Sequence, residues 1–247
     1  MERDDLRLAL PSKGRLADDA LDFLDACGLR VYRPNPRQYA AEIPALPGLT
    51  VMFQRPGDIA VSVRQGSVDF GITGLDVFSE KQARALDESP GADGDDGVLI
   101  LHDALGFSRC RLALAVPDEW KEVQSVADLS HIGNGAGASS VRVATKFTAL
   151  TRRFLEARGV TPHELVEVEG TLEIAPAIGY ADLICDLVST GTTLRDNHLR
   201  ELSDGTVIES QAILIANREA LRERPAALQM ARELIEYVEA HLRAEEC

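Results

Sequence analysis

ICDLVSTGTTLRDN, residues 184–197, runs from an apolar segment into four hydroxyl residues around one glycine, then back into a helical pattern. A strand that turns directly into a helix is the unit of an α/β fold, and the same junction recurs along this chain. The first N–H groups of such a helix have no intrahelical partner, and the helix dipole adds positive potential beside them. Gly191 lets the backbone approach a ligand closely or adopt φ > 0. Ser189, Thr190, Thr192 and Thr193 add hydroxyl donors without adding charge. A phosphate suits this turn. So does a plain capped turn, because Ser and Thr are common N-caps. No G-K-[ST] triplet follows, so it is not a Walker A loop. Asp186 precedes the turn and Asp182 lies four residues earlier. A carboxylate at the rim of a phosphate cradle binds ribose hydroxyls or the Mg²⁺ that accompanies a diphosphate, and Asp186 is the nearer of the two. Its alternative role is a solvated or capping aspartate.

Two further junctions share this build. ALPSKGRL (9–16) carries Lys13 and Arg15 at the start of a helix, where cations oppose the dipole. A locally unfavourable feature often marks a functional site, and a bound anion would relieve it. VDFGITGLDV (68–77) places Gly71 and Gly74 around Thr73, small residues that allow close approach of a ligand or another backbone. Three such turns, each after a strand, suggest one cleft lined by strand C-termini.

The rest of the chain alternates in the same way. LRLALP, LTVMF, DFGIT, VLILHD, CRLALAV, VRVAT, LVEVE, DLICDLV and QAILIAN read as strands. RLADDALDFLDACG reads as a helix ending at Gly28, ALTRRFLEARG as one ending at Gly159, and TLEIAPAIGYA as a third. SVADLS reads as a short helix or turn. A C-terminal amphipathic helix aligns Leu228, Ala231, Leu234, Ile235, Val238 and Leu242, the pattern of a helix covering a sheet. ESPGADGDDG (88–97) and IGNGAGASS (132–140) read as exposed loops.

Composition narrows the function classes. The 247 residues are 45% hydrophobic and 27% charged, which is ordinary for a globular chain able to bury a core. The formal net charge of −14 argues against a nucleic-acid-binding surface. It does not exclude small anions, because a few cations focused in a cleft outweigh a distant negative surface. No run is long enough to span a membrane. The acidic N-terminus enters a strand at once and reads as neither signal nor transit peptide, which points to the cytoplasm. The four cysteines form no C-x-x-C and the five histidines no ligand spacing, so reduced thiols and no protein zinc site are expected.

Together, ALPSKGRL, PRQYAAE, DFGITGLDV, CRLALAVP, RVATKFTALTRRFLEARGV and GTLEIAPAIGYADLICDLVSTGTTLRDNHL resemble ATP phosphoribosyltransferase, the first enzyme of histidine biosynthesis, over residues 6–217 and in the family's order. The last block is the most specific. The resemblance implies an α/β fold like type II periplasmic binding proteins, with two lobes joined by two crossing strands: 1–107 plus 218–247, and 108–217. It also implies a reaction: N1 of ATP attacks C1 of phosphoribosyl pyrophosphate, releasing pyrophosphate, with Mg²⁺ required and held mainly through substrate.

Ser189 to Thr193 would then cradle the 5-phosphate, with Asp186 near the ribose. Lys13, Arg15, Arg37 and Arg55 are the matching cations of the first lobe, and Arg37 and Arg55 lie in the family's arginine-bearing segments. Glu173 matches an acidic position near the substrates, and DFGITG (69–74) a cleft-lining turn on the nucleotide side. About 30 residues follow QAILIAN, which resembles the short form of the family. That form implies a homo-oligomer working with a histidyl-tRNA-synthetase-like regulatory subunit. The chain departs from the family's pattern by insertions at ESPGADGDDG and NGAGASS, and by GDIAVSV, just after Arg55, which lacks the proline the family often has after D-I. The chief rival is a non-catalytic small-molecule-binding module on the same two-lobed fold. The cationic turns suit a multiply charged ligand better than a neutral solute.

Overall fold

Leu6, Leu8, Ala9, Leu10 and Pro11 are buried along β1 (Leu6–Pro11), as a strand covered on both faces requires. In the computed structural model, which describes residues 5–35, 38–88, 97–132, 140–168 and 170–245, β1 lies within a sheet of six strands. Its other strands are β2 (Ala40–Glu42), β3 (Leu49–Gln54), β4 (Phe70–Gly74), β5 (Val98–His102) and β11 (Ala212–Asn217). The order is β2-β3-β1-β4-β11-β5. β1 runs parallel to β3 and β4, while β11 is antiparallel to β4 and β5. A second sheet of five strands contains β6 (Cys110–Pro117), β7 (Val141–Thr145), β8 (His163–Glu167), β9 (Leu183–Val188) and β10 (Leu199–Ser210), in the order β10-β6-β9-β7-β8. Each sheet belongs to one of two compact units, Met1–Arg109 with Gln211–Cys247 and Cys110–Ser210. The expected grouping of 211–217 with the second lobe is therefore corrected. QAILIAN is buried from Ala212 to Asn217, a pattern that suits a central strand of either sheet, and only the pairing with β4 and β5 assigns it.

The period of two along β11 separates the layers of the first unit. Ala212, Leu214 and Ala216 enter one core with Leu8, Leu10, Phe70 and Ile72. Ile213 and Ile215 enter another with Ala9, Ile59, Val63 and Phe78. The first core is covered by α1 (Arg15–Ala26) and α8 (Pro225–Glu245), the second by α2 (Pro56–Arg64) and α3 (Leu75–Glu88). α1 ends as its sequence predicts: Gly28 takes φ 79°, its N–H reaches the Asp25 carbonyl, and the Leu29 N–H reaches that of Leu24. α8 buries Ala227, Met230, Ala231, Leu234 and Val238. Leu228, expected on that face, is exposed, because Ala227 and Met230 take the places toward the sheet. A short α7 (Arg218–Glu223) precedes it, capped by Asn217, whose Oδ1 accepts the Ala220 N–H at 2.7 Å.

In the second unit, Leu112, Leu114, Val143 and Leu183 fill one face of the sheet with α5 (Thr148–Ala157) and α4 (Leu129–Ile132), while Ala113, Ala115, Ile184 and Val188 fill the other with α6 (Thr192–Asp196). TLEIAPAIGYA is not the helix its spacing suggests. Pro176 lacks a donor and Gly179 sits at φ 72°, so the segment forms successive turns that still deliver Leu172, Ala175 and Ala181 to the sheet. Residues 89–96 and 133–139, most of the two expected loops, lie outside the described residues. Among the described residues no helix is long and apolar enough to cross a membrane.

Gly71 belongs to the packing of this fold. A Cβ built there would stand 2.5 Å from Ile59 Cγ2 and 3.3 Å from Val63 Cγ2, so α2 sits against bare backbone. Gly71→Val should destabilise the first unit by about 2–3 kcal/mol through overpacking, read as an earlier denaturation midpoint. An unchanged midpoint would mean that α2 does not pack this closely.

Candidate active site

β9 buries Leu183, Ile184 and Cys185 and then leaves the core at Asp186. Gly191 follows at φ 73° and ψ 7°, a left-handed conformation that turns the chain into α6. Ser189, Thr190, Gly191, Thr192 and Thr193, with Asp186 and Glu173, line one cavity of about 170 Å³. α6 spans five residues, so its dipole is small and the donors are the turn's own N–H and hydroxyl groups. Two of these hydroxyls face each other, Thr190 Oγ1 and Thr192 Oγ1 at 3.1 Å, and the Thr192 N–H points to Thr190 Oγ1 at 3.4 Å. Arg195 donates through Nη2 to Thr192 Oγ1 at 3.1 Å, which brings a guanidinium to the turn.

Asp186 is half-buried beneath this turn, and its carboxyl is held above the usual range. Burial is the main cause, and the Glu173 charge adds to it. The Leu187 N–H and the Lys146 charge act in the opposite direction. Two carboxylates that repel each other thus line the same cavity as the hydroxyl turn. Asp182 has a different task. Its carboxylate accepts from Arg142 N and Nη2 at 2.7 Å each, while Arg142 Nη1 donates to the Gly179 carbonyl at 3.0 Å. That pair ties the 179–182 turn to β7.

In the first unit, the cations sit at the carboxyl ends of adjacent parallel strands. Lys13 is exposed in the turn after β1, Arg15 opens α1, and Arg55 precedes α2. The Ser12 N–H donates to the Gln54 carbonyl at 2.7 Å, which fixes these two turns side by side. Gly14 takes φ 77° at the start of α1, which has no side-chain cap. Arg15 also reaches Asp19 at 3.6 Å and the Arg109 carbonyl at 3.4 Å. Arg37 lies outside the described residues.

Phe70–Gly74 of DFGITG form β4, and the small residues of this segment are packed within the first unit. Thr73 is fully buried and donates to the Pro56 carbonyl at 3.2 Å, and Gly71 faces α2. A Cβ on Gly74 would meet Asp76 Oδ1 at 2.4 Å. Small residues here allow close packing within the unit.

Lys146 and Arg195 were not singled out by sequence. Lys146 follows β7 in VATKFT, a further strand–turn–helix junction, and Arg195 stands three residues after Thr192. Those positions were the available signal. Among the described residues no group of three His, Cys, Asp or Glu could hold a metal ion by itself. The Cys27 thiol is buried and pushed up to about 12, so it stays protonated and inert.

Known proteins resemble this chain in sequence and in fold. A family model described as ATP phosphoribosyltransferase matches residues 55–240. "ATP phosphoribosyltransferase 2, chloroplastic" of Arabidopsis thaliana is 44% identical over 98% of this chain, which spans 57% of that relative's length. A chain of the ATP phosphoribosyl transferase (HisG:HisZ) complex from Thermotoga maritima superposes with a TM-score of 0.68 at 24% identity, covering 97% of this chain and 99% of that one. The alkanesulfonate-binding protein SsuA from Xanthomonas axonopodis pv. citri, bound to MOPS, shares the fold with a TM-score of 0.54 at 14% identity, over 98% of this chain and 74% of its own. The two-sheet α/β architecture is thus that of the type II periplasmic binding proteins. On the extent of the family match, this chain belongs to the ATP phosphoribosyltransferases.

Proposed function

We propose that the chain transfers the phosphoribosyl group of phosphoribosyl pyrophosphate to N1 of ATP, the first step of histidine biosynthesis. The C1–oxygen bond to pyrophosphate breaks, the N1–C1 bond forms, and pyrophosphate leaves with the electron pair. The observation that carries this reading is the single cavity shared by Ser189–Thr193, Asp186 and Glu173. Its size suits one phosphoryl group, and its donors suit a dianion that must be bound without full neutralisation. Asp186 then lies where the ribose follows the 5-phosphate. Lys13, Arg15, Arg37 and Arg55 are the candidate cations for the leaving pyrophosphate, where negative charge develops.

Mg²⁺ fits this donor set. The ion favours one or two carboxylates completed by substrate phosphates and water, and Asp186 and Glu173 are two carboxylates that repel across one cavity. Bound there with substrate, it would neutralise charge on the pyrophosphate. In this reading Asp186 would orient the ribose and the hydroxyl turn would fix the 5-phosphate.

The regulatory partner is a further part of the proposal. The Thermotoga chain is from a HisG:HisZ complex and is covered over 99% of its length, which supports a regulatory subunit for this chain as well; a homo-oligomeric core is proposed from the family resemblance alone. Light scattering with and without the partner tests both.

The decisive assay mixes the chain with ATP, phosphoribosyl pyrophosphate and Mg²⁺, with pyrophosphatase present, and detects phosphoribosyl-ATP. No product, with or without a regulatory partner, would favour a binding module instead. Thr193→Val should raise KM for phosphoribosyl pyrophosphate about tenfold, the loss of roughly one charge-assisted hydrogen bond. Its melting temperature should be unchanged, because Thr193 is exposed. Unaltered KM would remove the hydroxyl from the cradle.

A further inference from the structure

The hydroxyl turn is backed by a charge pair. Arg111 on β6 stands opposite Val188, the last residue of β9, and Glu201 on β10 stands opposite Ala115. Arg111 and Ala115 are an even number of residues apart on one strand, so the arginine and the glutamate share a face of the sheet. That face also carries Val188 and Leu194, the residues that flank the turn. Arg111 Nε donates to Glu201 Oε2 at 2.6 Å and Nη2 to Oε1 at 2.7 Å, a bidentate fork. The third nitrogen, Nη1, reaches the Ser189 carbonyl at 3.5 Å. Glu201 Oε1 lies 3.5 Å from the place a Cβ would take on Gly191. The pair therefore touches both the first residue of the turn and its left-handed glycine.

Such a pair is poorly suited to stabilising the fold. The two side chains are 32% and 24% exposed, where Coulomb gain is largely offset by desolvation and the ordering of long side chains. A fork is geometrically specific, however, and lysine cannot reproduce it. We propose that Arg111 and Glu201 are positioning residues that hold the Ser189–Gly191 turn in the shape that accepts a phosphoryl group. This rests on the reading of that turn as the phosphate cradle.

The test compares Arg111→Lys, Glu201→Gln and the double variant with the unaltered chain in steady-state kinetics and thermal melting. Each single change should raise KM for phosphoribosyl pyrophosphate about tenfold and leave KM for ATP and the melting temperature in place. The double variant should be no worse than the weaker single, since the two residues act as one unit. Equal rises in both KM values, additive losses, or a lower melting temperature with unaltered KM would overturn the proposal. If the unaltered chain ignores phosphoribosyl pyrophosphate, the substrate reading fails separately, and calorimetry with inorganic phosphate decides the pair. Phosphate affinity that falls in both single variants sustains the positioning role. Unaltered affinity, or no phosphate binding by any variant, contradicts it.

Discussion

Asp186→Asn should melt above the unaltered chain at neutral pH and turn over about 100-fold more slowly, a loss of roughly 2.7 kcal/mol of transition-state stabilisation. Both effects come from one carboxylate. Burial and Glu173 raise its proton affinity in the folded chain above the ordinary value of 3.8. A raised carboxyl leaves stability intact below that ordinary value and costs stability as pH rises through the folded pKa. Asparagine removes the charge and keeps an oxygen for the Leu187 N–H. The gain in melting temperature should therefore be present at pH 7 and vanish as pH falls toward 4. Scanning calorimetry across this range, beside turnover assays, checks both halves. A variant that melts lower at pH 7, or that keeps its turnover, would show Asp186 to be an ordinary structural aspartate.

Gly191→Val should lower affinity for phosphoribosyl pyrophosphate about 100-fold. At φ 73° a β-branched residue is strained by roughly 1–2 kcal/mol. Its Cβ would also stand 3.5 Å from Glu201 Oε1 and 3.7 Å from Arg195 Nη1, so the added methyl groups crowd the side chains behind the turn. The turn then has to reopen, and the cavity lined by its hydroxyls loses its shape. β9 and β6 pair independently of this residue, so the second unit should keep its circular dichroism. Calorimetric titration separates these outcomes. Unaltered affinity would show that the left-handed turn is not what shapes the site.

Much of this architecture was legible from residue order alone. Runs such as LRLALP and LIC within DLICDLV announce strands because both faces are buried there, and Gly28 and Gly159 mark helix ends because only glycine takes the left-handed turn cheaply. β10 was not legible. LRELSDGTVIES alternates poorly, because register shifts between Glu201 and Ile208 break the period of two. The hydroxyl turn and Asp186 stand out in the sequence because they lie within eight residues of one another, and the structure gathers them around one cavity. The packing of Gly71 and Thr73 against α2 is not legible in sequence, because α2 lies elsewhere along the chain. The Arg111–Glu201 fork joins residues 90 apart, and no spacing rule could pair them.

The most direct test of the central claim is a crystal structure of the chain with phosphoribosyl pyrophosphate. The 5-phosphate should lie within hydrogen-bond distance of the backbone and hydroxyl groups of Ser189–Thr193, with the ribose toward Asp186. The compound bound at another place, with this turn open to solvent, would contradict the account.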